Sequence, residues 1–396
     1  MATQEQLEVR ALAREFAKGE IRPQAEAWDA ERALDPTILA KVAELGFMGM
    51  LIPERYQGLD LDLVTYLTAL EEISWGDASV ALSVAIQNGP VAGLLLRRGA
   101  EEQRERWLPE LAAGEVLGAF ALSEPEAGSD ASSLETRAES VQGGWRLSGT
   151  KRWVTNGDRA DLVVVFARTR PDSQGADGVG AFLVDRGADG YRVGRRERTL
   201  GLRASETVEV HLDGVRVPDE AVVGDPTRGF QYAMESVILG RIGVAAQALG
   251  IAQAAYEHAA EYAVEREQFG RAIADFGAIR EKVAGMATRI HGARALTHQA
   301  GGELQRLREE GRVRGNGFPS PNALAAMAKL TASEAAMWVA DEAVQIFGGY
   351  GYMRDYPAEK LMRDAKGPEI YEGTNEIMRH VIAREAIREV KEARGG

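Results

Sequence analysis

Glu372 stands in the stretch Gly367-Pro368-Glu369-Ile370-Tyr371-Glu372-Gly373-Thr374-Asn375-Glu376-Ile377, where a Pro/Gly break runs into the start of a helix. Such a junction sets a carboxylate beside free backbone N–H groups and a small residue. The chemistry open to a lone carboxylate there is proton transfer. Thr374 is placed to cap the helix that carries Met378, Ile382 and Ile387, its hydroxyl accepting an orphan N–H of the first turn. Glu372 then lies just outside that turn, on backbone that Gly373 keeps open to close approach. The purely stabilising alternative is an acidic residue favoured by the positive end of a helix dipole. The stretch alone leaves both roles open, and its meaning depends on what else the chain carries.

Composition narrows the classes. The chain has 396 residues, 45% hydrophobic and 27% charged, enough for a substantial core in two or three domains. No run of uninterrupted apolar residues reaches the length needed to span a bilayer, and the N-terminus mixes Glu5, Glu8 and Glu15 with Arg10 and Arg14 rather than showing a signal or transit pattern. No cysteine is present, which excludes disulfides, thiolate nucleophiles and Cys-based metal sites and fits a reducing cytoplasm. A formal charge of −13 argues against nucleic acid or an anionic membrane as a partner. His211, His258, His291, His298 and His380 are scattered, with no pair at metal-ligand spacing.

The elements that must position Glu372 follow from periodicity. Apolar residues recur three and four apart from Gln4 to about Leu111, with a loop at Ile52–Gly58, a helix over Leu63–Ser74, and a small-residue helix over Ala78–Arg97 that suits a core helix or a pocket wall. From Gly114 to about Gly229 the pattern alternates. Gly143-Gly144 joins a hairpin, and Asp161–Ala167, Val179–Asp185 and Thr207–Leu212 read as strands. Helical period returns from Phe230 through Gln305, again over Pro321–Phe347, and finally over Asn375–Ala393; Glu309–Asn322 reads as an exposed link. The expected fold is mostly α with a central β domain: an N-terminal helical domain (1–115), a middle β-barrel-like domain (116–229) and a C-terminal four-helix bundle (230–396).

Four further motifs accompany the first. Phe120-Ala121-Leu122-Ser123-Glu124-Pro125-Glu126-Ala127-Gly128-Ser129-Asp130 is a strand running into a Pro/Gly loop that exposes N–H groups. Lys151-Arg152-Trp153-Val154-Thr155-Asn156-Gly157 combines an aromatic plane with a hydroxyl, which suits a large ring, or else a Trp sealing a strand end. Arg266-Glu267-Gln268-Phe269-Gly270 follows the long helix containing Arg241. Gln345-Ile346-Phe347-Gly348-Gly349-Tyr350-Gly351-Tyr352 ends a helix in glycines but lacks the strand before it and the helix after it that a Rossmann fingerprint requires.

Five motifs in this order, with this alternation of elements, resemble the acyl-CoA dehydrogenase family of flavoproteins along nearly the whole chain. The resemblance implies FAD contacts at Leu122, Ser123, Trp153 and Thr155, and at Thr374 and Glu376 on the flavin side. It implies that Arg266, with Gln268 and Phe269, reaches the pyrophosphate of a cofactor held mostly by a neighbouring subunit, and that Gln345, Gly348 and Gly349 lie against its adenosine half. Glu372 takes the role of catalytic base, and Ser129, Arg241, Tyr371, Gly373 and Arg384 lie near the acyl-CoA substrate. The implied reaction is α,β-dehydrogenation of an acyl-CoA thioester, the β-hydrogen leaving as hydride to the flavin and the electrons passing to an electron-transfer flavoprotein. A homotetramer is likewise implied. A free Glu has a pKa of roughly 4.3, and enclosure by substrate and flavin is expected to raise it, making a better base in the complex than in the free enzyme.

Some relatives place the base just before the residue equivalent to Arg241. Gly240 occupies that position here and strengthens the assignment to Glu372. Ile238 replaces an aspartate that often holds the pantetheine arm, and Gly277 stands where a cofactor-touching glutamine is common. Arg241 and Arg384 fit ion pairs as well as CoA contacts. The alternatives are a flavin-dependent oxidase, a dehydrogenase using another acyl carrier, and a flavin scaffold without turnover.

Overall fold

The computed structural model describes residues 3–310 and 318–394. Seven helices come first: α1 (Gln4–Phe16), α2 (Ala25–Glu31), α3 (Pro36–Glu44), α4 (Leu63–Gly76), α5 (Ala78–Ile86), α6 (Gly93–Arg98) and α7 (Glu101–Ala113). Side chains start several of them at the predicted points. Asp62 accepts from the N–H groups of Val64 and Thr65, and Asp77 from those of Ser79 and Val80, so α4 and α5 begin on satisfied donors. Between α5 and α6 the chain widens into a π segment at Gln87–Ala92, which accommodates Pro90 without breaking the rod.

The middle region is one seven-stranded sheet of β1 (Gly118–Ala121), β2 (Arg137–Val141), β3 (Gly144–Thr155), β4 (Leu162–Arg168), β5 (Val179–Asp185), β6 (Tyr191–Arg196) and β7 (Thr207–Pro218). Its order is β1-β4-β2-β3-β7-β6, with β5 antiparallel along β4. The hairpin expected at Gly143-Gly144 is present, Val141 pairing with Gly144. The strand expected ahead of the Pro/Gly loop is β1, whereas β6 was not predicted; it has the exposed face of an edge strand and so carries little apolar signal.

The C-terminal region opens with α8 (Gly229–Glu265), whose 37 residues span about 55 Å. A two-stranded ribbon follows, β8 (Glu267–Gln268) and β9 (Arg271–Ala272), then α9 (Gly277–Glu309), α10 (Pro321–Phe347), α11 (Ala358–Ala365) and α12 (Asn375–Ala393). The helical run expected from Phe230 through Gln305 is therefore two helices, divided by that ribbon. Of the expected link Glu309–Asn322, residues 311–317 lie outside the described residues, while Asn322 sits in the first turn of α10 and is half-buried rather than exposed.

One expectation from hydropathy needs correction. Two helical stretches, Ala78–Arg98 and Gly229–Glu265, are long and apolar enough to cross a membrane by length and composition. Their apolar windows are 94% and 83% buried inside the fold, as core helices are.

A buried knot fixes the three regions to one another. Lys360 of α11 bonds both Asp77, ahead of α5, and Asp364 at 2.7 Å, and Asp364 accepts the backbone N–H of Leu202, in the loop between β6 and β7, at 2.6 Å. Asp77 and Asp364 are almost wholly buried, so this pairing is shielded from solvent.

Candidate active site

Thr374 accepts the N–H of Ile377 at 3.3 Å and starts α12 as predicted. Ahead of the cap, Glu372 (φ 53°) and Gly373 (φ 96°) both take left-handed backbone. For a non-glycine residue that conformation is uncommon and costs on the order of 1 kcal/mol, a cost met most often at functional sites. It turns the Glu372 side chain onto α8, where a Cβ added at Gly240 would fall 2.5 Å from Oε2 and 2.8 Å from Cδ.

Two cations hold the turn through its carbonyls. Arg241 donates from Nε to the Glu372 carbonyl at 3.4 Å, and Lys329 donates from Nζ to the Gly373 carbonyl at 2.7 Å and to Asn375 Oδ1 at 2.9 Å. Arg241 also donates to Asn322 Oδ1 at 2.7 Å, and Asn322 in turn donates to Glu385. Its bonds thus go to neutral acceptors, and the ion-pair alternative for Arg241 is not what the geometry shows. Arg384 and Glu376, by contrast, are exposed along α12 and do not join this cluster.

Glu372 Oε2 is buried without a hydrogen-bond partner. Burial pushes its carboxyl up to about 7, against the opposing pull of Arg241 and Lys329. The rise expected on enclosure by ligands is therefore already present in the free chain. The dipole-stabilised alternative finds no support, because the carboxyl is raised rather than held low and accepts no N–H of α12. Lys329 is itself pushed down to about 7, chiefly by burial and then by Arg241.

Tyr371 donates from its hydroxyl to Gln247 Oε1 at 2.8 Å, and Gln247 donates to the Ala78 carbonyl at 2.7 Å, tying the turn to both α8 and α5. Tyr66 is fully buried beside the same face of α8, and its hydroxyl has no partner. Burial, reinforced by the Glu372 charge, keeps that phenol well above its ordinary range.

A second cluster lies on the sheet. The register of β3 on β7 slips between Lys151 and Val154, so Arg152 and Trp153 bulge out. Trp153 takes φ 57° and is 50% exposed, so it does not seal the strand end. Beneath it, fully buried Lys151 donates to the Leu122 carbonyl at 3.0 Å and to Glu124 at 2.7 Å, and the Arg152 N–H binds the Ser123 carbonyl at 2.9 Å. Leu122, Ser123 and Trp153 are thus one built ledge. Gly128 adjoins the indole and Ser129 is exposed in the loop beyond, while Thr155 ends β3 opposite Thr207. The ledge docks on the wall carrying the base: Ser83 of α5 bonds Asn156 at 2.9 Å, and Gln87 accepts the Gly118 N–H at 2.8 Å.

The third cluster stands at the other end of α8. Arg266 lies over the Tyr350 ring at 5.6 Å, which brings the Arg266–Gly270 segment to the glycine-ended helix carrying Gln345, Gly348 and Gly349. Gln268, Gln345 and both glycines are exposed; Phe269 is 93% exposed and held at φ 53°. At about 1.5 Å per residue, Arg266 is roughly 37 Å from Arg241 along the helix.

Comparison with known proteins decides what this arrangement belongs to. Family profiles for acyl-CoA dehydrogenase match with the N-terminal domain at residues 3–115, the middle domain at 119–215 and the C-terminal domain at 227–387. The chain belongs to the acyl-CoA dehydrogenase family. An acyl-CoA dehydrogenase of Bacillus subtilis is 45% identical over 96% of this chain and 98% of its own length. The bovine mitochondrial short-chain specific acyl-CoA dehydrogenase is 42% identical over 95% of this chain and 88% of its own. Butyryl-CoA dehydrogenase from Megasphaera elsdenii superposes with a TM-score of 0.93 at 38% identity, over 98% of this chain and 99% of that one.

Acyl-CoA dehydrogenases are FAD-dependent oxidoreductases, and the residues here fit such a group. The bulged indole offers a flat apolar surface next to a loop whose carbonyls are already pinned, and the Glu372 carboxylate keeps one buried oxygen unpaired. Sequence reasoning missed Tyr66, Gln247, Lys329 and the role of Lys151. Lys329 was findable: it interrupts the small-residue run Ala325-Ala326-Met327-Ala328, and a lone cation among buried positions needs a partner. Tyr66 carried no such signal, because a tyrosine in an apolar helix face reads as core.

Proposed function

We propose that this acyl-CoA dehydrogenase converts an acyl-CoA thioester to the trans-2-enoyl-CoA, with Glu372 removing the α-proton. The supporting observation is the Glu372 carboxyl itself, buried, raised to about 7 and missing one hydrogen-bond partner. A base whose pKa sits near the working pH combines a useful ionised fraction with real proton affinity. Arg241 and Lys329 fix the turn through its carbonyls, so the carboxylate is held by main chain and its own oxygens stay free to take the proton. The flavin, when bound, supplies the acceptor for the β-hydrogen as hydride.

Leu122, Ser123, Trp153 and Thr155 are the residues to hold the flavin ring, with Thr374 and Glu376 on its other side. Ser129, Arg241, Tyr371, Gly373 and Arg384 are the residues to meet the thioester and its carrier. Arg266, Gln268, Phe269, Gln345, Gly348 and Gly349 stand too far along α8 to serve the same cofactor molecule. They serve the cofactor of a second copy, which makes the working form a homo-oligomer, with four chains the family pattern. Electrons leave to an electron-transfer flavoprotein in the cytoplasm.

The test is anaerobic titration of the yellow holoenzyme with acyl-CoA thioesters of graded length, following the flavin absorbance. Bleaching by an acyl-CoA, and its loss in Glu372→Gln with flavin retained, supports the reading. Rapid bleaching of the variant would sink it.

A further inference from the structure

Lys151 lies at the foot of the ledge with no solvent reaching it, and an ammonium so enclosed needs its hydrogen bonds. Those bonds run to two places. One, at 2.7 Å, goes to Glu124 Oε1, and the other, at 3.0 Å, goes to the Leu122 carbonyl. Glu124 does not depend on the ammonium alone, because its carboxylate also accepts the N–H groups of Glu135 at 2.6 Å and Thr136 at 3.0 Å. The Leu122 carbonyl has no other donor among the described residues.

That second bond fixes a peptide. In a planar trans unit the carbonyl and the N–H that follows it point opposite ways, so drawing the Leu122 carbonyl down to Lys151 turns the Ser123 N–H away from the interior. The next peptide is fixed as well: the Ser123 carbonyl accepts the Arg152 N–H at 2.9 Å, and the Glu124 N–H closes on the Ala127 carbonyl at 3.0 Å. The Ser123 N–H itself has no acceptor among the described residues, and it sits at a half-buried position beside the bulge that carries the half-exposed Trp153. A main-chain donor held open next to an indole suits an electron-rich atom on the edge of a flat ring.

We propose that Lys151 is a positioning residue for the FAD: through the Leu122 carbonyl it aims the Ser123 N–H at the flavin ring, and Glu124 serves to hold the ammonium in place. An ion pair for its own sake gives no such reason, since exchanging a buried pair for uncharged groups is often neutral or stabilising. Burial lowers the ammonium to about 8, which leaves it charged at neutral pH. The proposal rests on the flavin reading of the ledge and makes no use of Glu372.

The experiment compares wild type, Glu124→Gln, Lys151→Met and the double variant carrying both changes. It measures FAD affinity by fluorescence quenching on the flavin-free proteins, their melting temperatures, and the midpoint potential once loaded. Glu124→Gln keeps the bond to Leu122 and should bind FAD as wild type does. Lys151→Met strands Glu124 and frees the carbonyl, so both melting temperature and FAD affinity should fall, the affinity by about tenfold, as loss of one well-made hydrogen bond would give. In the double variant the melting temperature should recover while FAD affinity stays about tenfold weak and the potential stays below wild type, because a donor at the ring favours the electron-rich reduced form. A double variant with wild-type affinity and potential leaves Lys151 a counter-ion and overturns the proposal. If neither Met variant folds, Glu124→Gln decides: retained affinity supports the positioning role and a tenfold loss overturns it. A wild type that binds FAD but is reduced by no thioester removes the proposed function and leaves this proposal standing; one that binds no FAD removes both.

Discussion

Gly240 and the carboxylate of Glu372 occupy one space: a methyl group at position 240 would lie 2.5 Å from Oε2. A base cannot stand on the turn unless the helix facing it is bare at that point. In relatives where the base stands at the position of Gly240, the turn must yield the room. Gly240→Ala is therefore expected to displace the carboxylate and lower kcat by 10²-fold or more, by analogy with the cost of small misplacements at a reacting centre. Flavin content should stay near wild type. Full activity in this variant would mean that Glu372 acts from another position.

The raised carboxyl gives a pH dependence with a definite sign. Activity in kcat/KM should rise with pH through about 7 as Glu372 ionises. Stability should move the other way. The folded pKa lies above the ordinary 4.5, so the folded state holds an extra proton between those values, and stability falls as pH rises from about 4.5 to about 7. Glu372→Gln removes the penalty. It should be more stable than wild type at pH 8, by about 3 kcal/mol, with the gain shrinking toward pH 4.5. Denaturant melts of the flavin-free proteins at several pH values measure this, and a gain independent of pH would contradict it.

Lys329 opposes the rise in Glu372 while holding the carbonyl of the next residue. In Lys329→Met the nearby positive charge is gone, so the carboxyl should titrate higher and the activity midpoint should move above about 7. The turn also loses its tether at Gly373, and kcat should fall even at the new optimum. A pH–rate profile with an unmoved midpoint would show that Lys329 is structural only.

The knot of Lys360, Asp77 and Asp364 joins all three regions through two linked contacts, Lys360 to Asp77 and Asp364 to Leu202. Lys360→Met strands two buried carboxylates, and losing one partner of a buried pair costs about 3 to 5 kcal/mol. Thermal unfolding monitored separately by sheet and helix signals should change from one transition to more than one. A single transition at the wild-type temperature would show that the regions are held together elsewhere.

Phe269 is 93% exposed in left-handed backbone, which an isolated chain has no reason to maintain. Phe269→Asp should lower the mass of the assembly measured by light scattering and reduce FAD retention together. Loss of neither would separate this segment from any cofactor shared between copies.

Much of this architecture was legible because it rests on periodicity and caps. Pro321–Phe347 and Asn375–Ala393 begin at Ser320 and Thr374 as their residue types dictate, and Val179–Asp185 is an apolar run that forms a buried strand. The motifs were legible too, but not their mechanics. Nothing in the letters Glu372, Trp153 or Phe269 announces left-handed backbone, which depends on tertiary contacts overriding local preference. The register slip at Trp153 depends on β7 being one residue short of its partner, a relation between distant segments. The extra proton on Glu372 depends on burial by helices that do not adjoin it in sequence.

Because Asp364 receives an amide from the loop between β6 and β7 while Lys360 grips the cap of α5, swinging the sheet away from the helices would break a buried charged cluster. Whole-lobe opening at that seam is therefore costly, and adjustments during turnover should fall on side chains and loops rather than on any swinging of whole lobes.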